Sequence, residues 1–143
     1  MDATVALAAD HAGFALKDAL VELVRAAGLV PLDLGTHDAT SVDYPDIADR
    51  LAAALAEGRA SQGVLVCGTG IGIAIAANRH RHVRAAVCHD ATTARLAREH
   101  NDANVLCLGA RIVGGEVAAD ALRAFLATGF AGDRHARRVA KLG

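Results

Sequence analysis

Residues 64–78 read VLVCGTGIGIAIAAN, an apolar run that passes through three closely spaced glycines into a second apolar run. Val64–Cys67 has the length and composition of a buried strand, and Ile71–Asn78 is predicted as a helix. Gly68-Thr69-Gly70-Ile71-Gly72 joins the two. The stretch therefore predicts a strand, a glycine-rich turn and a helix, the repeating unit of an α/β fold.

The same alternation extends outward along the whole chain. Nearly uniform apolar runs, typical of strands covered on both faces, occur at 4–9, 30–34, 64–67, 84–88 and 104–108. Helical spacing of apolar residues, or a position between strands, indicates helices at 14–27, 47–55, 71–78, 91–100 and 115–127. Gly28, Gly58 and Gly129 are predicted to stop helices. We expect a Rossmann-like, doubly wound, three-layer α/β/α fold with five parallel strands.

Length and composition favour a folded single-domain protein and argue against disordered, membrane-spanning and nucleic-acid-binding classes. The length of 143 residues predicts a single domain over 1–143, ending in a basic tail at about 131–143. A hydrophobic content of 53% against 22% charged residues argues against disorder. The longest run free of charge and strong polarity, 63–77, is shorter than a membrane helix requires. A net charge of −1 and few aromatic residues predict no nucleic-acid or membrane partner.

The cysteines and the first residues indicate a compartment. Cys67, Cys88 and Cys107 are odd in number and contain no Cys-x-x-Cys pair, so neither a disulfide framework nor a zinc site is expected. The start Met-Asp-Ala-Thr lacks the pattern of an export signal. We therefore expect a cytoplasmic protein.

The glycine turn has three interpretations. Backbone N–H groups of 68–72 can converge on an oxyanion or phosphate, which we favour. The turn can instead be purely structural. A dinucleotide site would require glycine where the chain has Ile73, although Asp90 stands near the expected position of the ribose-binding acid. A Walker loop is excluded because no Gly-Lys-Ser/Thr follows.

Cys67 ends a strand directly before the glycine turn. The positive end of the following helix would favour its thiolate, which could then act as a base or nucleophile. Buried cysteine is commonly inert, and Cys88 and Cys107 are predicted at equivalent strand ends. The neighbouring turn distinguishes Cys67 from them.

Polar residues also stand at other element ends. Asp10 either caps the next helix or belongs to a ligand site with His11, since both follow the first strand. His100 and Asn101 either end the fourth helix as a solvated histidine and an asparagine C-cap or contribute to the site.

The tail contains Arg134 and Arg138 at i, i+4, a spacing that suits a phosphate, with a solvated basic terminus as the alternative. A second basic run at 79–84 follows a helix C-terminus, where cations are usually solvated, and we assign it no function. The seven histidines show no His-x-x-x-His spacing, so no metal site is proposed.

Taken together, these motifs closely resemble type B ribose-5-phosphate isomerases, a family that also contains galactose- and allose-6-phosphate isomerases. The resemblance spans about 4–139 in order. It rests on Asp10-His11-Ala12-Gly13-Phe14, Gly35-Thr36, Asp43-Tyr44-Pro45, Cys67 to Gly72 with Ala76-Ala77-Asn78, His100-Asn101-Asp102 with Asn104-Val105, and Gly109-Ala110-Arg111.

The resemblance implies a metal-free, cofactor-free aldose–ketose isomerisation of ribose 5-phosphate in the non-oxidative pentose phosphate pathway. By resemblance, Cys67 is the base that moves a proton between C2 and C1. The backbone of 68–72 and Thr69 hold the enediolate oxygens, and His100 opens the sugar ring with help from Asp10. Some relatives carry a glutamate base after the glycine turn, but here Ile73 and its neighbours offer no carboxylate.

The resemblance also implies substrate contacts and a shared site. Asn101 would hold sugar hydroxyls, and phosphate or sugar contacts are expected from His11, Arg111, Arg134 and Arg138. The substrate-binding set includes Asp10, Gly68, Thr69, Gly70, Ile71 and Gly72 as well. The active unit is a homodimer, or a dimer of dimers, whose subunits complete one another's sites. The tail is shorter than in many relatives.

Two alternatives to ribose-5-phosphate isomerisation stay open. One is isomerisation of allose or galactose 6-phosphate, since these sugars share the reacting carbons with the pentose. The other is a sugar-phosphate or nucleotide binding module without turnover, which the presence of Cys67 and His100 disfavours.

Overall fold

The computed structural model describes residues 3–143. Within that range the strands are β1 (Thr4–Ala9), β2 (Val30–Asp33), β3 (Gln62–Cys67), β4 (Ala85–Val87) and β5 (Val105–Gly109). The helices are α1 (Phe14–Ala26), α2 (Tyr44–Ala56), α3 (Ile71–Ala77), α4 (Ala91–Asn101), α5 (Gly115–Ala127) and α6 (Arg134–Ala140). Met1 and Asp2, which entered the argument against an export signal, lie outside the described residues. None of the helices in 3–143 is both long and apolar enough to cross a membrane.

The strands form one parallel sheet in the order β2-β1-β3-β5-β4, which confirms the predicted fold class. From β1 the chain moves to β2 on one side, and the remaining strands lie on the other side. The winding direction therefore reverses between β1 and β3, and ligands of such sheets bind outside the carboxyl ends of the strands at this point. Strand β5 is inserted between β3 and β4, so the three-residue β4 lies at the edge.

Two apolar cores cover the faces of the sheet. Alternate residues of β3 point to opposite faces, as the period of two requires. Val64 and Val66 pack with buried residues of α1, α4 and α5. Leu65 and Cys67 pack with buried residues of α2 and α3. The result is the expected three-layer arrangement, with the side chain of Cys67 on the α2/α3 side.

Helix ends agree with the glycine predictions in two cases of three. Gly28 and Gly58 adopt the left-handed φ angles of +82° and +74° that favour glycine. The prediction for Gly129 was wrong, because α5 ends at Ala127 and Thr128 is already extended. The predicted Asn101 C-cap was also wrong. Asn101 is the last residue of α4, and Asp102 takes the left-handed position with φ of 46°.

An ion pair between a buried lysine and a partly exposed aspartate fixes the carboxyl end of β2. The side chain of Lys17 is fully buried, and its Nζ donates to Asp33 Oδ1 at 2.9 Å and to Asp18 Oδ1 at 2.6 Å. Asp33 Oδ1 also accepts the Gly35 N–H at 3.0 Å. Burial alone would raise the pKa of Asp33, but the hydrogen bonds from Gly35 and Lys17 lower it. The pair therefore ties α1 to the segment that runs beside the end of β1, where the Ala9 N–H donates to the Gly35 carbonyl at 2.8 Å.

Candidate active site

The site begins where β1 and β3 end side by side. Ala9 pairs with Val66 in the sheet, so Asp10 and Cys67 leave adjacent strands at the same edge. The Asp10 N–H still donates to the Val66 carbonyl at 3.1 Å. Asp10 and Cys67 are 6% and 4% exposed. The switch point of the sheet therefore holds a buried carboxyl group and a buried thiol.

Cys67 accepts a backbone hydrogen bond from the turn that follows it. The Gly70 N–H lies 3.2 Å from Cys67 Sγ. The sequence argument that the glycine turn distinguishes this cysteine therefore has a structural counterpart.

The other two cysteines are in different surroundings. Cys107 is not at a strand end, as the sequence suggested, but in the middle of β5 opposite Leu65. Burial raises the pKa of the Cys107 thiol, and Cys67 and Cys88 nearby add to the rise. Burial also raises the pKa of Cys88, against the effect of its hydrogen bond with Thr93. At neutral pH both are therefore thiols.

The glycine turn needs glycine for reasons of space and of backbone angle. Gly70 has a φ of +78°, and a Cβ there would lie 2.9 Å from the carbonyl carbon of Leu108. A Cβ on Gly109, across the turn, would lie 2.5 Å from the Thr69 carbonyl oxygen. The turn after β3 therefore packs directly on the end of β5. Thr69 itself is exposed, and its Oγ1 accepts the Ile71 N–H at 3.2 Å.

Arg111 reaches the same turn from the end of β5. Its backbone N–H donates to the Gly68 carbonyl at 3.0 Å. Its guanidinium lies over Gly68, where a Cβ would stand 3.2 Å from Nη1. The structure thus places the exposed, cationic side chain of Arg111 over Gly68, the residue that follows Cys67.

Asp10 and His11 form a turn and not a helix cap. Asp10 Oδ1 accepts the N–H groups of Ala12 at 2.9 Å and Gly13 at 3.1 Å, and Gly13 is the N-cap of α1. The N-cap alternative for Asp10 was therefore wrong. His11 Nδ1 accepts the Val42 N–H at 3.2 Å, so a neutral His11 carries its proton on Nε2.

Tyr44 is a neighbour of the site to which the sequence analysis assigned no role. It is half-exposed at the start of α2, and a Cβ on Gly72 would lie 2.7 Å from its ring carbon Cζ. The third glycine of the turn therefore leaves room for the phenol. The signal in the sequence was Asp43-Tyr44-Pro45, which entered only through the resemblance.

His100 and Asn101 lie at the opposite edge of the sheet. Helix α4 runs back from the carboxyl edge, and the Gly63 N–H donates to the Asn104 carbonyl at the start of β5. From the Gly63–Val105 pair to the Cys67–Gly109 pair the sheet advances four residues, about 13 Å at 3.3 Å per residue. Within one chain, His100 and Asn101 are therefore separated from Cys67 by the length of a strand.

The tail joins His100 and Asn101 at this edge. The His100 and His135 rings are stacked, with centroids 4.3 Å apart and planes 16° from parallel. A cavity of about 310 Å³ is lined by both histidines and by Asn101, Arg138, Val139 and Leu142. A second cavity of about 630 Å³ shares Asn101 as a lining residue.

Buried guanidinium contacts hold the end of α4. Arg98 Nη1 donates to Asp102 Oδ1 at 2.9 Å and to the Ala103 carbonyl at 2.7 Å. Arg84 Nε donates to the Asp102 carbonyl at 2.7 Å. The basic run at 79–84 was expected to be solvated, but Arg84 is half-buried and used for structure, because the end of α4 turns back onto it.

The predicted site residues thus fall into two groups. The Cys67 cluster consists of Asp10, His11, Cys67, 68–72 and Arg111. The His100 cluster consists of His100, Asn101, Arg134 and Arg138, together with His135, which the sequence analysis did not assign to the site. Within 3–143, no three His, Cys, Asp or Glu side chains lie close enough together to hold a metal ion.

Comparison with known proteins identifies the family. Residues 5–142 match the family model described as Ribose/Galactose Isomerase. The chain is 43% identical to ribose-5-phosphate isomerase B of Escherichia coli over 94% of this chain and 91% of the relative. It is 40% identical to D-erythrulose-4-phosphate isomerase of Pectobacterium atrosepticum over 98% and 93% of the two chains.

A solved structure of type B ribose 5-phosphate isomerase from Trypanosoma brucei superposes with a TM-score of 0.96 at 47% identity, covering 99% of this chain and 97% of that one. A family match over nearly the full length, together with relatives well above 30% identity, leaves one conclusion. The chain belongs to the ribose/galactose isomerase family.

Proposed function

We propose that the chain interconverts ribose 5-phosphate and ribulose 5-phosphate through a cis-enediolate, using its own side chains and no metal. The observation that carries the proposal is the Cys67 sulfur, which accepts the Gly70 N–H at 3.2 Å at the switch point, where the strands that precede Asp10 and Gly68 end side by side. The 43% identity to a ribose-5-phosphate isomerase B supports the choice of sugar. We propose that residues 1–143 act as one domain in the cytoplasm, in the non-oxidative pentose phosphate pathway.

The proton transfer follows from the geometry of the Cys67 cluster. In the open-chain aldose the Cys67 thiolate takes the C2 proton, and the electron pair forms the C1–C2 double bond. Negative charge then develops on O1, where backbone N–H groups of 68–72 and the Thr69 hydroxyl would stabilise it. The thiol returns its proton to C1 while the O2 proton moves to O1, and C2 becomes the ketone. Base and donors therefore act at one strand end.

Ring opening is assigned to the His100 cluster. His100 would take the proton of the anomeric hydroxyl and, with Asp10, return one to the ring oxygen as the C1–O bond breaks. Asn101 would hold the sugar hydroxyls. His11, Arg111, Arg134 and Arg138 supply hydrogen-bond donors and positive charge for the phosphate end.

Both clusters can serve one substrate only if two copies of the chain meet. A sugar phosphate cannot bridge the length of the sheet through the core, so we propose a homodimer in which each Cys67 cluster is completed by the partner's His100 cluster. Ile71 and Ile75 on α3 support such an interface, being 56% and 57% exposed one helical turn apart beside the glycine turn. A dimer of dimers would satisfy the same requirement.

The experiment that tests the activity is turnover by chelator-treated protein. Ribose 5-phosphate, allose 6-phosphate and galactose 6-phosphate are supplied separately, and the ketose products are measured. We expect the highest kcat/KM for ribose 5-phosphate. A hexose-phosphate preference is not favoured, since the two relatives reported above act on five- and four-carbon sugar phosphates by name. Binding without turnover of any of the three would indicate a non-catalytic module.

A further inference from the structure

His135 is the buried residue of a helix whose charged side chains are otherwise exposed. It is 9% exposed, whereas Arg134, Arg137 and Arg138 around it are exposed. Its ring lies flat against that of His100, which is half-buried in the last turn of α4. Helix α6 therefore meets α4 through this histidine pair.

The backbone that precedes α6 positions His135 next to His100. Gly132 and Asp133 both have left-handed φ angles, 70° and 51°, and the His135 N–H donates to the Gly132 carbonyl at 3.0 Å. One residue earlier, the Ala131 N–H donates to the Glu99 carbonyl at 3.0 Å. A tight turn at Gly132 and Asp133, hydrogen-bonded to the last turn of α4, thus positions the His135 ring against His100.

The charges around His135 favour its neutral form. Burial lowers the pKa of His135 most, and Arg134, His100 and Arg138 lower it further. Asp133, on its own segment, acts in the opposite direction. From α4 the ring faces His100, and Asn101 lines the same cavity without charge. At neutral pH an uncharged flat ring therefore covers one face of His100.

We infer that His135 is a positioning residue, which holds the His100 imidazole in the plane needed for ring opening. This inference rests on the proposed function, because it takes the role of His100 from there. A half-exposed histidine at a helix end can turn about both of its side-chain torsions. Stacking against a buried neighbour removes most of that freedom and fixes the plane of the His100 ring at the wall of the cavity that Arg138 also lines.

The test compares two replacements of His135 in the full chain. His135→Ala removes the stack, and His135→Phe keeps a flat ring of similar size without nitrogen. Two rates are measured, conversion of cyclic ribose 5-phosphate and deuterium exchange at C1 of ribulose 5-phosphate, which is already open. Arg137→Ala, on the same helix but exposed, is the matched control.

We expect His135→Ala to lower the kcat of the cyclic aldose by about tenfold or more, since small misplacements of a catalytic group are costly. Exchange into the ketose should change less than twofold, and His135→Phe should recover most of the lost kcat. Losses of equal size in both assays, or a Phe variant as poor as the Ala variant, would overturn the inference. A general loss of folding is detected by thermal melts of all variants.

His100→Asn separates this inference from the proposed function. If His100→Asn affects both assays equally, the proposed ring-opening role fails, whatever His135 does. If His100→Asn affects only the cyclic aldose, the double variant His100→Asn/His135→Ala should be no worse than His100→Asn alone. Additive losses in the double variant would overturn the positioning role while leaving that of His100 intact.

Discussion

The Cys67 cluster and the His100 cluster are built by different means. The first is made of strand ends and a glycine turn, with Cys67 and Asp10 nearly fully buried and held by backbone N–H groups. The second lies at helix ends and is held by side chains, through the stacked histidines and the Arg98–Asp102 pair. Under the proposed mechanism, proton transfer at carbon needs the rigid arrangement, whereas ring opening and recognition of phosphate and hydroxyls would use side chains from the partner of the proposed dimer.

The largest expected effect is on the rigid cluster. Cys67→Ala should lower kcat by about 10²-fold or more, the usual contribution of a positioned general base. Because the proposed role of Cys67 is proton transfer, the variant should still bind ribose 5-phosphate. Turnover, calorimetric binding and solvent deuterium exchange are measured together, with Cys88→Ala as the control. Near-normal deuterium exchange by a folded Cys67→Ala protein would contradict the proposal that Cys67 is the base.

The Lys17–Asp33 ion pair supports the segment next to the Cys67 cluster, and removing it should lower the free energy of unfolding. Asp33→Asn leaves Asp18 as the only carboxylate that pairs with the fully buried Lys17. We expect the free energy of unfolding to fall by about 2 kcal/mol. This is less than for a fully buried pair, because Asp33 is 30% exposed. Urea denaturation at neutral pH measures this cost. Asp120→Asn, in an exposed pair with Arg123, is the control and should change little.

The pH dependence of the Asp33 contribution has a defined sign. Since folding lowers the pKa of Asp33 below the usual 3.8, the stabilisation is fully present above that value and is lost as pH falls through the folded value. The difference in stability between the wild type and Asp33→Asn should therefore shrink in acid. A constant difference down to low pH would show that Asp33 does not act through its charge.

The side-chain-built cluster should respond mainly in KM. Arg138→Ala removes a cation from the cavity lined by His100, and we expect KM for ribose 5-phosphate to rise about tenfold while kcat changes less, because phosphate binding is used in ground and transition states alike. Arg137→Ala, one residue away and exposed, is the control. Equal KM values for the two variants would indicate that the tail is a solvated basic segment and does not bind the phosphate.

The smallest expected effect is a recovery of activity, which tests whether the Cys67 cluster of one subunit and the His100 cluster of another form one site. Mixing Cys67→Ala with Arg138→Ala subunits, after unfolding and refolding together, should give about a quarter of wild-type activity when ribose 5-phosphate is well below KM, where Arg138→Ala alone is nearly inactive. Half of the dimers are then mixed, and each mixed dimer has one intact site. Each variant refolded alone is the baseline. Mixed dimers proven by mass spectrometry but without recovered activity would contradict a shared site.

Much of the Cys67 cluster was predictable from the sequence, because its parts are close together in the chain or stand at predictable strand ends. Cys67 and the glycine turn are contiguous, and parallel strands must end at the same edge, which places Asp10 nearby. What was missed there is local geometry. Asp10 forms a turn before Gly13 and does not cap α1, and Tyr44 packs on Gly72.

The alternation of apolar runs by itself determined the α/β class, the parallel sheet and the position of the glycine turn, because strand and helix periods and glycine placement are local properties of the chain. Only the tertiary structure decided that β5 lies between β3 and β4, that His135 stacks on His100, and that the predicted site divides between two edges of the sheet. These facts depend on packing between segments far apart in sequence, where side-chain shape and burial select among arrangements that the same local pattern allows.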